Sequence, residues 1–222
     1  MPVRKLTTTV DEKRAVTVFV VGPETRANGI AFAYAPGAGS NIHDPFGRFA
    51  CDRLAARGFT ALRFQFPYME DKRKAPDRTV VLEKTWRAVI SEARALGDRL
   101  VVGGRSMGGR IASHVVARGE AVDGLVLFAY PLHAPAKPDV WRDTDLSSIA
   151  VPTLFCSGTR DSFAAPDELR TVVQTMKRAT LQVLDGADHG YAAPAVSGRK
   201  REDIWHEAME GTFAWLKKAH VE

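Results

Sequence analysis

Apolar and polar positions sort the chain into short runs and longer periodic stretches. The runs at 15–21, 30–35, 59–66, 99–103, 124–130, 152–157 and 180–184 are rich in β-branched, aromatic and other apolar residues, and turn-forming residues bound most of them; they predict strands. Runs 30–35 and 124–130 are apolar at nearly every position, as in strands covered on both faces. Between the runs lie stretches with apolar residues three and four apart: 46–57, which stops at Gly58; 79–96, which stops at Gly97; 111–118; 166–176; and 200–218. Strands alternate with helices nearly throughout, which implies an α/β fold built on a doubly wound, mostly parallel sheet with right-handed crossovers. Ligands in such sheets sit at the carboxyl ends of strands, so the exit loops are where chemistry is expected.

Size and charge narrow the class. A chain of 222 residues suits one domain spanning 1–222 and buries about 70% of its unfolded surface. Hydrophobic content of 45% and charged content of 26% are those of an ordinary globular protein. No segment approaches the ~20 apolar residues that span a bilayer, so no membrane partner is expected. The start, Met1 to Leu6, is basic but leads into Asp11-Glu12-Lys13-Arg14 with no apolar core, and is not read as a signal peptide. Two cysteines, Cys51 and Cys156, form no disulfide framework, and a cytoplasmic location is expected. The net charge of +5 is scattered; its clusters at 71–74 and 199–201 have acidic neighbours and no interleaved aromatics, so nucleic acid is not an expected partner. A solvated surface or a preference for anionic substrates fits the mild positive balance.

The stretch 101–110 carries the chemistry. An apolar run turns through Gly104-x-Ser106-x-Gly108 into a helix, the pattern of a nucleophile elbow, in which small residues flank a serine on a tight strand-to-helix turn. A short motif of this kind also arises in ordinary Gly-rich turns. The phosphate-cradling alternative fails, because Arg110 and Ile111 stand where that loop needs Lys and Ser or Thr.

A serine hydroxyl needs a base to take its proton and an acceptor to orient that base. His189 follows the last strand and Asp161 follows the strand before it, so the chain order is Ser106, Asp161, His189, that of the α/β-hydrolase arrangement. His114 falls inside the helix after the elbow, and His206 and His220 in the C-terminal segment, which suits structural or solvated roles. His43 and His133 are expected to line the pocket, and Asp185 and Asp188 read as turn formers. Acyl transfer also needs an oxyanion hole; its donors are expected to be the N–H groups of Met107 and of Ala38 in the loop 36–41.

With these residues in view, the chain resembles the α/β-hydrolase superfamily over nearly all its length, and within it the short, cap-less branch described as dienelactone-hydrolase-like. The Gly37-Ala38-Gly39-Ser40 loop, the elbow from Gly104 to Arg110 and the segment Tyr130-Pro131-Leu132-His133 carry the likeness. The resemblance implies an α/β-hydrolase fold with minimal or no cap, and a carboxylesterase-like serine hydrolase cleaving esters of small or medium acyl groups through an acyl-enzyme. Two positions depart from the branch: Pro36 replaces a histidine that often precedes the oxyanion glycine, and Ser106 stands where dienelactone hydrolases have cysteine, so that substrate is not expected. The branch is also similar to a hydrolase-like domain in a subunit of a histone acetyltransferase complex, which makes a non-catalytic scaffold the alternative. No cofactor is implied, and no Cys/His spacing suggests a metal. The longest irregular stretches, 67–78 and 131–149, are too short for a large lid, so an open, shallow site for a small-molecule ester is expected. Arg105 and Arg160, beside the nucleophile and the acid, are either attractors of anionic substrates or surface residues.

Overall fold

The computed structural model describes residues 3–23, 28–142, 145–219 and 221. Eight strands form one sheet: β1 (Val3–Asp11), β2 (Arg14–Val21), β3 (Ile30–Ala35), β4 (Thr60–Phe64), β5 (Arg99–Arg105), β6 (Gly124–Phe128), β7 (Thr153–Arg160) and β8 (Ala179–Asp188). They lie in the order β1-β2-β4-β3-β5-β6-β7-β8, parallel from β4 to β8 and antiparallel at β1–β2 and β2–β4. Among the described residues six α-helices accompany them: α1 (Pro45–Ala56), the single-turn α2 (Pro67–Glu70), α3 (Thr79–Arg94), α4 (Met107–Ala117), α5 (Pro166–Thr175) and α6 (Arg201–Lys218). The doubly wound α/β architecture is the one expected, and among the described residues there is no cap.

Helices on both faces explain the continuous apolar runs. All six residues of β3 are buried. Successive strand residues point to opposite sides, so Val102 and Leu127 join Trp86, Ile111 and Leu169 of α3, α4 and α5, while Val101 and Val126 join Phe46, Leu54 and Phe213 of α1 and α6. The chain leaves β3 toward β4 on one side and returns to β5 on the other. That reversal opens a crevice at the carboxyl ends of the central strands, which is where such folds bind ligands.

The structure departs from the pattern-based expectation in four places. β1 was not expected: it is an antiparallel edge strand, and polar residues dominate its outward positions. Its register runs from Val3 opposite Val21 to Asp11 opposite Arg14, and Asp11 closes the turn by accepting from Lys13 N–H at 3.0 Å. The charged stretch after β4 contains α2, started by Pro67, whose fixed φ suits a first helical position. β7 and β8 run on past their apolar runs to a pairing of Arg160 with Asp188, because ladder bonding does not require apolar side chains. Helix α4 begins at Met107 rather than at 111, directly after the serine. Among the described residues no helix is long and apolar enough to cross a membrane.

Candidate active site

Ser106 sits between β5 and α4 with φ 51° and ψ −120°, a conformation that costs a non-glycine residue roughly 1–3 kcal/mol and persists only where its surroundings enforce it. Here they do. Its N–H donates to Phe128 C=O at 2.9 Å, its C=O accepts from Arg110 N–H at 2.9 Å, and the Trp86 indole donates to Gly108 C=O at 3.0 Å. The flanking glycines are required by close approach. A Cβ at Gly104 would lie 2.5 Å from Ala35 O, and one at Gly108 would lie 2.3 Å from the same oxygen and 2.5 Å from Pro36 O. The elbow is thus pressed against the end of β3 and the loop that follows it.

Beside the serine, the two loops after β7 and β8 complete a chain of hydrogen bonds. His189 Nε2 lies 2.9 Å from Ser106 Oγ, and His189 Nδ1 lies 2.9 Å from each oxygen of Asp161. The carboxylate can only accept, so it selects the tautomer with the proton on Nδ1 and leaves Nε2 to accept from the serine. Asp161 is 4% exposed, and its Oδ1 also accepts from Phe163 N–H at 2.9 Å. The Phe163 ring stacks on the imidazole with centroids 4.1 Å apart, and an Arg105 Nη2 donates to His189 C=O at 3.0 Å. Behind them, the buried Tyr191 hydroxyl donates to Cys156 C=O at 2.6 Å and accepts from Ala129 N–H at 3.1 Å, tying the loop after β8 to the ends of β6 and β7. Burial, reinforced by the nearby Cys156, holds the Tyr191 phenol well above its usual range. Asp188 accepts from Gly190 and Ala192 N–H at 2.7 and 2.9 Å, a turn former as its position suggested.

The loop after β3 faces the serine. Gly37 passes close enough that a Cβ there would lie 3.5 Å from Ser106 Cβ. Two side chains shape this loop. Tyr68 accepts from Gly39 N–H at 3.0 Å, and Asp44 binds Tyr34 Oη at 2.7 Å and Ser40 Oγ at 3.4 Å while capping α1 through Gly47 N–H. The Met107 N–H opens α4 and has no acceptor inside its own helix. Ala38 and Met107 both border the space above Ser106.

An alpha/beta hydrolase domain model matches residues 28–217 of this chain. The chain belongs to the α/β-hydrolase family. Solved structures with the same fold include XC6422 from Xanthomonas campestris, an α/β serine hydrolase without a lid (21% identity, 97% of this chain and 96% of that chain, TM-score 0.74). A second is a putative dienelactone hydrolase from Klebsiella pneumoniae (19% identity, 98% and 99%, TM-score 0.72). A third is the thermophilic esterase Est2 from Thermogutta terrifontis (19% identity, 97% and 92%, TM-score 0.72).

In this α/β-hydrolase, a cavity of about 570 Å³ lies over the serine, walled by Ala38, Leu82, Met107, Pro131, Phe163 and His189 among others. Of the two arginines that flank the candidate residues, Arg105 lines it and Arg160 does not, and neither His43 nor His133, both expected in the pocket, is part of the lining. The His43 ring packs 5.8 Å from Phe19 on the surface side of its loop. His133 is 4% exposed, with its ring nitrogens 3.1 Å from Glu168 Oε2 and 3.1 Å from Ala134 C=O, and its N–H donates to Phe163 C=O at 3.1 Å. It therefore braces the loop that carries Asp161 and Phe163 from behind. His114 faces Glu83 at 3.3 Å and His206 packs on Phe49; His220 lies outside the described residues. Phe163, Tyr68, Tyr191 and Arg142, all of which bear on the site, were missed from the sequence; only Phe163 and Tyr191 carried a signal, each standing two residues from a candidate.

Burial pushes the thiols of Cys51 and Cys156 up to about 12, which rules both out as nucleophiles at neutral pH. Among the described residues no cluster of His, Cys, Asp and Glu is arranged to hold a metal.

Proposed function

We propose that the protein is a serine hydrolase of carboxylesterase type, acting on esters of small or medium acyl groups. One observation carries the reading: a single imidazole lies 2.9 Å from a strained, cavity-facing serine hydroxyl and 2.9 Å from a buried carboxylate. Ser106 Oγ attacks the carbonyl carbon as His189 Nε2 takes its proton, and Asp161 stabilises the imidazolium that forms. The tetrahedral oxyanion accepts from the Ala38 and Met107 N–H groups. Loss of such a donor costs roughly 10²–10³-fold in turnover in comparable sites. The imidazolium then protonates the departing alkoxide, and water releases the acyl group by the same steps in reverse. The chemistry uses no cofactor.

The size of the cavity supports a substrate with a small or medium acyl chain. The thermophilic Thermogutta esterase and the lidless Xanthomonas serine hydrolase, which share the fold, are in keeping with the same chemistry. The test is labelling with a fluorophosphonate probe, comparing wild type, Ser106→Ala and heat-unfolded protein, followed by a panel of esters graded in chain length. Labelling of the folded wild type alone is expected. A folded wild type that stays unlabelled overturns the reading and leaves a hydrolase-fold scaffold in its place.

A further inference from the structure

We propose that the substrate carries an ionised oxyanion group, a carboxylate or a phosphate, in addition to its ester, and that Arg105 and Arg142 recognise it. The proposal rests on the esterase reading above.

Both arginines line the cavity that contains Ser106 and His189. Arginines elsewhere on the molecule commonly answer a carboxylate: Arg53 and Arg57 meet Glu210 at 2.6 and 2.8 Å, and Arg118 meets Glu83. Arg105 and Arg142 differ. Among the described residues neither forms an ion pair. Arg105 gives one Nη2 hydrogen to the neutral His189 carbonyl at 3.0 Å, and its guanidinium stands 5.8 Å from the Tyr191 ring. That contact fixes the charge beside the nucleophile and the base while leaving most of its donors unused. Arg142 is held through its backbone, whose N–H donates to Leu132 C=O at 2.7 Å, and its side chain is exposed at the cavity mouth.

The cavity wall also carries two carboxylates, but both are already committed. Asp77 accepts from Tyr68 N–H at 2.9 Å on one oxygen and from Arg73 at 2.6 Å on the other. Asp44, 7% exposed, accepts from Gly47 N–H and is bound by the Tyr34 and Ser40 hydroxyls. A third arginine on the wall, Arg110, reaches toward His114 at 3.4 Å. Three guanidinium groups thus share the wall with these committed carboxylates, and a guanidinium presents the fork geometry that a carboxylate or phosphate fills with two hydrogen bonds.

The experiment compares 4-nitrophenyl hemiglutarate with 4-nitrophenyl pentanoate, esters of equal chain length that differ by a terminal carboxylate. Wild type is expected to favour the hemiglutarate by about tenfold in kcat/KM at low salt, the scale of one charge-assisted pair. High salt should shrink the preference, because the mouth is exposed to solvent. Arg142→Gln should collapse the ratio, and Arg142→Lys should restore part of it, since it keeps the charge without the fork. Glutarate and inorganic phosphate, tested as competitors, should slow fluorophosphonate labelling of Ser106, and the stronger of the two identifies the head group. A ratio at or below one, a ratio indifferent to Arg142→Gln, or labelling that neither competitor slows overturns the proposal while the esterase reading stands. Absence of both labelling and turnover removes the esterase reading and this proposal with it.

Discussion

Replacing Gly108 by alanine adds one methyl group where the elbow meets the end of β3. The new Cβ would lie 2.3 Å from Ala35 O, 2.5 Å from Pro36 O and 2.7 Å from Ala35 C, all backbone atoms that cannot swing aside. Relief to ordinary contact needs a shift of about 1 Å in one of the two segments. Two terms then compete in stability: overpacking costs roughly 1–3 kcal/mol, and exchanging glycine for alanine in a helix returns about 1 kcal/mol. The net loss lowers Tm by at most about 8 °C at this chain length. The rate should suffer far more. Pro36 leads directly into the loop that carries Ala38, and a displacement of about 1 Å at a catalytic group costs on the order of 10²-fold. The assay is kcat/KM on a 4-nitrophenyl ester, with fluorophosphonate labelling and thermal unfolding on the same preparation. A folded Gly108→Ala enzyme with wild-type kcat/KM would refute the claim that this close approach sets the oxyanion geometry. So would a loss of rate that merely tracks the unfolded fraction.

Asp161→Asn keeps the shape of the acid but no longer selects the Nδ1-protonated tautomer of His189, so turnover is expected to fall on the order of 10⁴-fold with little change in KM. Tyr191→Phe removes the phenol's bonds to the Cys156 carbonyl and the Ala129 N–H, which keep each other as partners at 2.8 Å, so the cost is about 0.5–1.5 kcal/mol for each bond lost, and differential scanning calorimetry should show a modest drop in Tm. Desolvation holds the Tyr34 and Tyr191 phenols and the Cys51 and Cys156 thiols in their neutral forms, the thiols up to about 12 from an ordinary 9.0. The unfolded chain ionises these groups first, so their contribution to stability is complete below about pH 9 and is lost as pH rises toward 12. Denaturant titrations across that window should record the decline, and both thiols should stay inert to a thiol reagent at pH 8 until the protein unfolds.

The central sheet was legible because its strands are buried on both faces and advertise themselves as apolar runs. Ser106, Asp161 and His189 could be picked out as candidates because each is tied to the end of a strand by short-range rules, and the hydrogen bonds at 2.9 Å bring the three side chains together. β1 was hidden because the inward positions of this edge strand, Leu6, Thr8 and Val10, place a threonine in the middle of the only face that is buried. What surrounds the serine was hidden for a different reason. His43 turned to Phe19 and His133 to Glu168, whereas Arg142 reached the cavity wall, because the packing of one loop over another depends on contacts distant in sequence. Strand ends can be read from local pattern, but the folding of the loops above them cannot.

The proposed base depends on a strand at one border of the sheet. His189 follows β8 directly, and β8 has a partner on one side only, whereas Ser106 leaves β5 in the middle of the sheet. Peripheral strands detach at lower free energy than central ones. Gentle heating or mild denaturant should therefore separate base from nucleophile while the interior of the sheet persists. Enzymatic activity would then act as a sentinel of fraying at one border, extinguished before circular dichroism records any melting.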